Sequence, residues 1–368
     1  MRKHQLIGSE VSLYTGKLRC YLQNKKIPYQ EILASAQIYQ DVIIPRTGVK
    51  YIPVLITDDD RVLQDSTDII DHLEARYPHS HVYPSSPCQK LVALLLEVFG
   101  DEWLVIPAMH YRWSFQENRD FAMAEFGRTT APQASKEQQI ALGKKLATPF
   151  AGALPALGVV PHVIPAIEKS YLALLEDLNA HFLKYDYLLG NQPCIGDFGL
   201  IGPLYAHLYR DPLSGRLMKK HAPHVAAWVE RMIKPATRNT GFLPNDEIPN
   251  TLMPILERLF SELGPAITQT IEQVAAWGDK SDDEKIPRTI GELKFNIEGV
   301  EGTRLTFPYM QWMWQRVTDH YHDKNAPQNE MARLLSPING ALELLNTPIR
   351  HRVFRHNNKL RINNPDKS

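Results

Sequence analysis

Asp65 and Ser66 stand side by side at the start of a helical pattern, within YIPVLITDDDRVLQDSTDIIDHLEARYP, which runs from Tyr51 to Pro78. A helix N-terminus presents unpaired N–H groups and favours anions. A Ser66 hydroxyl beside the Asp65 carboxylate therefore makes a place for a carboxylate with an ammonium next to it. The structural alternative is that Asp65, followed three residues on by Asp68, simply caps the helix, as such residues most often do. Ile52-Pro53 is the second feature. Proline removes an N–H donor at the start of an apolar run, so the pattern predicts either an edge strand or a cis peptide bond. A cis bond would turn the backbone N–H and C=O of Ile52 outward; an edge strand would imply no ligand.

These residues need a scaffold. Tyr51 to Thr57 reads as a strand, Asp58 to Asp60 as a turn and Arg61 to Leu63 as the returning strand. The helix after Asp65 has apolar positions Ile69, Ile70 and Leu73 and ends at Pro78. Upstream, HQLIG at residues 4 to 8 reads as a strand, and Leu18, Tyr21 and Leu22 set a helix from Tyr14 to Lys25. A further strand and a weakly signalled helix around Gln37 to Ile44 complete the order β, α, β, α, β, β, α, that of a thioredoxin-like domain. Ser9 and Ser12 fall in the loop between the first strand and the first helix, where serines usually serve as loop and N-cap residues.

The pattern IPVL, a turn, then L-x-D-S-x-x-I-I-x-x-L-E-x-R-Y-P resembles the N-terminal domain of glutathione S-transferases. So does G-S-x-x-S-x-Y-x-x-K-x-R, with I-P-Y eight residues after the arginine. The resemblance implies that Ile52, before Pro53, pairs with the cysteinyl backbone of glutathione, and that Asp65 and Ser66 hold its γ-glutamyl group. It places Ser12 at the position of the catalytic serine or cysteine, with Tyr14 as the alternative. Leu13 stands where the family commonly has proline, and Gly16 adds flexibility. The implied activity is transfer of glutathione to a hydrophobic or electrophilic second substrate, by a homodimer, with glutathione as co-substrate and no metal or organic cofactor. The alternative is a transferase-like binding or assembly protein without turnover.

Composition bounds the remainder. With 368 residues there is room for two or three domains, and 43% hydrophobic against 22% charged residues describes an ordinary globular chain. Lys plus Arg and Asp plus Glu are equal at 41 each, so no overall field points to nucleic acid or an anionic membrane. Three widely spaced cysteines, with no membrane-length apolar run and no signal-peptide pattern, lead to the expectation of a cytoplasmic protein.

The sequence divides into a thioredoxin-like α/β domain at 1–80, an all-helical bundle at 90–245 and a largely helical extension at 246–368, giving an α+β class overall. Residues 78–89 read as a linker. After it, LVALLLEVFGDEWLVIPAMHYRWSF is apolar at nearly every helical phase and reads as a central helix. In the resembled family this helix lines the second-substrate pocket, which makes Trp103, His110 and Tyr111 candidates there, although core aromatics are the commoner reading. Residues 127 to 165 read as irregular, with a Gly/Pro/Ala-rich loop bordering the cleft. Asp197 resembles the acid of a buried capping box in which Cys194 replaces the usual hydroxyl, implying a folding role. In the extension, Thr251 to Trp277 reads as a helix, KFNIEGVEGTRLTF as a β-hairpin, TFPYMQWMWQRVTDHY as an aromatic stretch, Glu330 to Asn346 as a last helix, and the basic tail as exposed or partner-binding. Hairpin and aromatic stretch could cover the cleft, extend the bundle or meet a second copy.

Overall fold

Strand β1 (His4–Gly8) lies inside a four-stranded sheet of order β2-β1-β3-β4, with β2 at Tyr29–Leu33, β3 at Val54–Ile56 and β4 at Val62–Gln64. The computed structural model describes residues 3–234, 241–281 and 283–363. β1 and β2 run parallel, and β3 is antiparallel to both β1 and β4. Alternation along the strands sorts the core. Leu6 and Leu55 face Leu18, Leu22, Ile69 and Leu73 of the two helices on one side, while Ile7, Val54 and Ile56 face Ile43 on the other. The second face is covered by a helical run over residues 36–47 that includes a π turn at Tyr39–Ile43.

Ile52–Pro53 is a cis peptide bond, and β3 is an interior strand, so the edge-strand alternative does not apply. The proline sits just before the ladder begins and leaves its hydrogen bonds intact.

Helix Pro87–Val98 continues through a π turn at Phe99–Trp103 into helix Val105–Ser114. Its apolar positions are buried all round, Leu91, Val92, Leu95 and Leu96 included, as befits the centre of a bundle. Asp197, fully buried, accepts hydrogen bonds from the N–H groups of Leu188 (3.2 Å) and Cys194 (2.9 Å) and from the Trp228 indole (3.0 Å), so it ties three segments together.

Three sequence expectations are corrected. Residues 127–165 are not mainly a loop: helices Gln116–Thr130 and Lys136–Gly152 form an antiparallel pair. Ser135 and Gln138 make a capping box, and two glycines of the pair are points of close contact. A Cβ on Gly127 would meet the Gln139 carbonyl oxygen at 1.9 Å, and one on Gly143 the Met123 oxygen at 1.9 Å. The last helix is two, Gln328–Leu335 and Ala341–Leu345, because Pro337 and Gly340 (φ 75°) intervene. Most of the basic tail is a second hairpin, β7 (Val353–His356) and β8 (Lys359–Ile362), turned by Asn357 and Asn358 at positive φ. Val353 and Ile362 bury against Val274 and Ile286, and residues 364–368 of that tail lie outside the described residues.

The other elements of the extension follow their patterns. A continuous helical run over 253–280 leads to the hairpin β5 (Glu292–Ile297) and β6 (Val300–Leu305), then to helix Tyr309–Tyr321. β5 alternates exposed with buried, Leu293, Phe295 and Ile297 pointing inward. One apolar cluster runs from Leu6 through Phe198 to Leu345, so the extension shares the core of the bundle.

Candidate functional site

Register places the predicted residues together. Ile7 pairs with Val54 and Val54 with Gln64, forming one row across β1, β3 and β4. Just beyond that row, at one end of the sheet, lie the loop to Ser12, the Ile52–Pro53 bond and the Asp65–Ser66 helix start.

Ser12 is the N-cap of helix Leu13–Asn24, in extended conformation, and its Oγ accepts from the Thr15 N–H at 3.3 Å. The cap uses a lone pair, so the hydroxyl proton can still be donated. Tyr14 differs: its hydroxyl donates to the Asp101 carbonyl at 3.1 Å. Burial, reinforced by Glu102 and Asp101, raises its pKa well above that of an ordinary tyrosine. Among the described residues, the backbone N–H and C=O of Ile52 have no hydrogen-bond partner, and neither do the N–H and hydroxyl of the 3% exposed Ser66.

Asp65 is in a different condition. It caps helix Ser66–Arg76 at φ 90°, a value uncommon for a residue with a Cβ, and its Oδ1 accepts from the N–H groups of Thr67 (2.9 Å) and Asp68 (3.4 Å). Its Oδ2 accepts from the Tyr309 hydroxyl at 2.7 Å and from Arg355 Nη1 at 3.2 Å. The same guanidinium reaches the Gln64 carbonyl (3.0 Å), Gln64 Oε1 (2.9 Å) and Asp68 Oδ2 (2.6 Å), and stacks 5.7 Å from the Trp312 ring centroid. The extension thus covers this end of the sheet as well as lengthening the bundle.

Behind the site lies a buried charge cluster that sequence reasoning missed. Lys17 Nζ donates to Glu97 Oε1 (2.7 Å), Asp101 Oδ2 (2.6 Å) and Thr67 Oγ1 (3.0 Å), joining three helices. Arg316 of the extension adds contacts to Asp71, Tyr83 and Glu97. A signal was present: Glu97 and Asp101 are four residues apart in a largely apolar stretch of helix, and so share one face. Burial pushes the Asp101 carboxyl above the usual range, against the pull of Lys17. Next to it, burial pushes Glu102 up to about 8 and lowers the extension's Arg304 to about 10. Arg304 Nη1 reaches the Glu102 carbonyl at 3.4 Å, and its guanidinium lies over the rings of Trp103 and Phe307.

The second-substrate candidates are buried and partnered. Trp103 donates to Glu262 Oε2 at 2.9 Å, His110 bonds Glu168 and Ser114, and Tyr111 packs on Phe115 and Tyr171. The cavity beside Trp103 holds about 10 Å³, room for a single water, so Trp103 meets a larger molecule there only if neighbouring elements part. Among the described residues there is no group of three or more His, Cys, Asp and Glu side chains able to hold a metal, and no helix long and apolar enough to cross a membrane.

A four-stranded β2-β1-β3-β4 sheet with a cis-proline before β3, followed by a helical bundle, defines a thioredoxin-like domain carried on an all-helical one. Residues 6–87 match the family model described as glutathione S-transferase, N-terminal domain. No curated protein sequence matches the chain. Among solved structures, a glutathione S-transferase from Rhodospirillum rubrum is similar at 15% identity and TM-score 0.40, over 67% of this chain and 96% of its own. A rice enzyme solved in complex with glutathione is similar at 15% identity and TM-score 0.39, over 63% and 90%. A β-etherase from Sphingobium is similar at 15% identity and TM-score 0.45, over 63% and 95%.

Proposed function

We propose that this protein binds glutathione at the Ser12–Ile52–Ser66 end of the sheet and uses the Ser12 hydroxyl to hold its thiolate for attack on a hydrophobic or electrophilic second substrate. The observation that carries this reading is the gathering, beyond one row of paired residues, of a donor hydroxyl, the unpaired backbone amide and carbonyl of Ile52, and the unpaired Ser66 at the helix start. An unperturbed thiol has a pKa of about 8.5 and is a few per cent thiolate at neutral pH. Lowering it by about two units takes roughly 2.7 kcal/mol of preference for S⁻. One hydrogen bond to a charged acceptor supplies about 1.5 to 3 kcal/mol and a helix N-terminus up to about 1, so Ser12 suffices in magnitude. Ser12 is favoured over Tyr14 because the Tyr14 proton is already given to Asp101. A homodimer and a cytoplasmic setting go with this reading. The setting is supported by three buried free cysteines, Cys20 and Cys88 pushed by burial to about 12, which also serve a thiol-exchange reaction poorly. The test is glutathione conjugation by Ser12→Ala: a loss of more than tenfold with glutathione binding retained is expected, and unchanged turnover rejects Ser12.

A second reading, binding without turnover, is favoured by one observation: the carboxylate the resemblance assigns to the γ-glutamyl group already receives Tyr309 and Arg355. It predicts that millimolar glutathione leaves the melting temperature unchanged, whereas a ligand at about 100 times its dissociation constant would add roughly 2.7 kcal/mol of stability. No conjugate would form with any electrophile tried.

A further inference from the structure

At the N-terminal end of helix Ser66–Arg76 the acceptors and the donors have been treated unequally. Four of the acceptors there that an ammonium could use are already held by one guanidinium: the Gln64 carbonyl, Gln64 Oε1, Asp65 Oδ2 and Asp68 Oδ2 all lie within 3.2 Å of Arg355 nitrogens. Tyr309 donates to Asp65 Oδ2 as well, and Asp65 Oδ1 is spent on the cap. An ammonium placed here would find a filled carboxylate and a fixed positive charge beside it. The donors are the reverse case. Ser66 has neither its N–H nor its hydroxyl partnered among the described residues, although its side chain is 97% removed from solvent contact. Unpaired donors at the start of an eleven-residue helix favour an anion.

Resting on the glutathione reading above, we propose that Arg355, seconded by Tyr309, is a specificity-determining residue. It makes this subsite accept a carboxylate while refusing the adjacent ammonium, so that the favoured thiol is a γ-glutamyl-type peptide whose α-amino group is absent or acylated. Arg355 touches no reacting atom in this scheme; it acts by filling Asp65. Its position explains why the arginine comes from a hairpin whose strand ends, Val353 and Ile362, are anchored in the core: the guanidinium is held in place by its own fold and not by the ligand.

The experiment is calorimetric titration of the full chain with two probes, glutathione and its des-amino analogue glutaryl-cysteinylglycine, repeated on Arg355→Met and Tyr309→Phe. Binding of the des-amino peptide at least tenfold tighter than glutathione by the natural protein is expected. In Arg355→Met that preference falls by at least tenfold, with a smaller fall in Tyr309→Phe. A natural protein that shows less than tenfold preference, or prefers glutathione, overturns the proposal while leaving glutathione binding intact. Absence of heat with both probes in all three proteins overturns the functional reading and this one together. The comparison of probes on the natural protein needs no variant to fold.

Discussion

Asp101 and Glu102 are consecutive residues of one π turn, both buried, and the molecule handles their charges in opposite ways. Asp101 is met by Lys17, which also takes Glu97 and Thr67, so each charge in that cluster has short partners. The Glu102 carboxyl has no hydrogen bond or ion pair among the described residues, and Arg304, which enters from the extension, reaches only its carbonyl and leaves its own Nε unpartnered. Removing ions from water costs several kcal/mol each, which close, saturated geometry offsets and loose geometry does not. The first pair is therefore a close, saturated contact that clamps three helices, although burial still lifts the Asp101 carboxyl above the usual range. The second is relieved by a proton on Glu102. Adjacent positions of one π turn therefore hold a well-partnered carboxyl and a poorly partnered one, and what distinguishes them is the number of close partners.

That contrast can be broken in three ways, beginning with the largest expected effect. Lys17→Met leaves two buried carboxylates facing each other and is expected to cost about 3 to 5 kcal/mol in chemical denaturation, enough to endanger folding. A loss below about 1 kcal/mol would show that the cluster does not clamp the helices. Glu102→Gln is expected to act through pH. The folded pKa of about 8 lies above the ordinary carboxylate value, so the folded state holds a proton that the unfolded chain has released, and stability falls as pH rises between about 4.5 and 8. The slope is at most about 1.4 kcal/mol per pH unit from this one group, and the glutamine variant should lose that share of it. Equal slopes in melting temperature for the two proteins from pH 5 to 8 would mean that Glu102 ionises freely. The smallest effect is expected of Arg352→Ala, whose bidentate pair with Asp319 is half in solvent: about 0.5 kcal/mol or less, and less again in high salt. A larger loss would mean that exposed pairs hold the β7–β8 hairpin down.

Much of the scaffold was legible because its signals are local. Alternation of Leu6 with Ile7 and of Leu55 with Val54 and Ile56 marks two buried faces, Pro53 flags its own peptide bond, and Asp65 announces the helix it caps. The β5–β6 hairpin was readable for the same reason. What the sequence hid depends on distance along the chain. Nothing near Asp65 reveals that its partners are Tyr309 and Arg355, 244 and 290 residues away. Lys17 looks like one more polar residue of an exposed turn until Glu97 and Asp101 arrive from the next domain. The Gln116–Thr130 and Lys136–Gly152 pair was hidden because the role of Gly127 and Gly143, close backbone approach, exists only once both helices are present. The basic tail read as free chain because two asparagine residues turning a hairpin give a weaker signal than Asn-Gly.

The bond between Asp65 and Arg355 also sets an order of events during synthesis. At about 5 to 20 residues per second, roughly 15 to 60 s separate the translation of the two residues, and the first domain has its whole sequence early in that interval. Until the last hairpin leaves the ribosome, the acid end of the helix has no chain to receive. The nascent protein therefore passes through a stage in which Asp65 Oδ2 lacks both Tyr309 and Arg355.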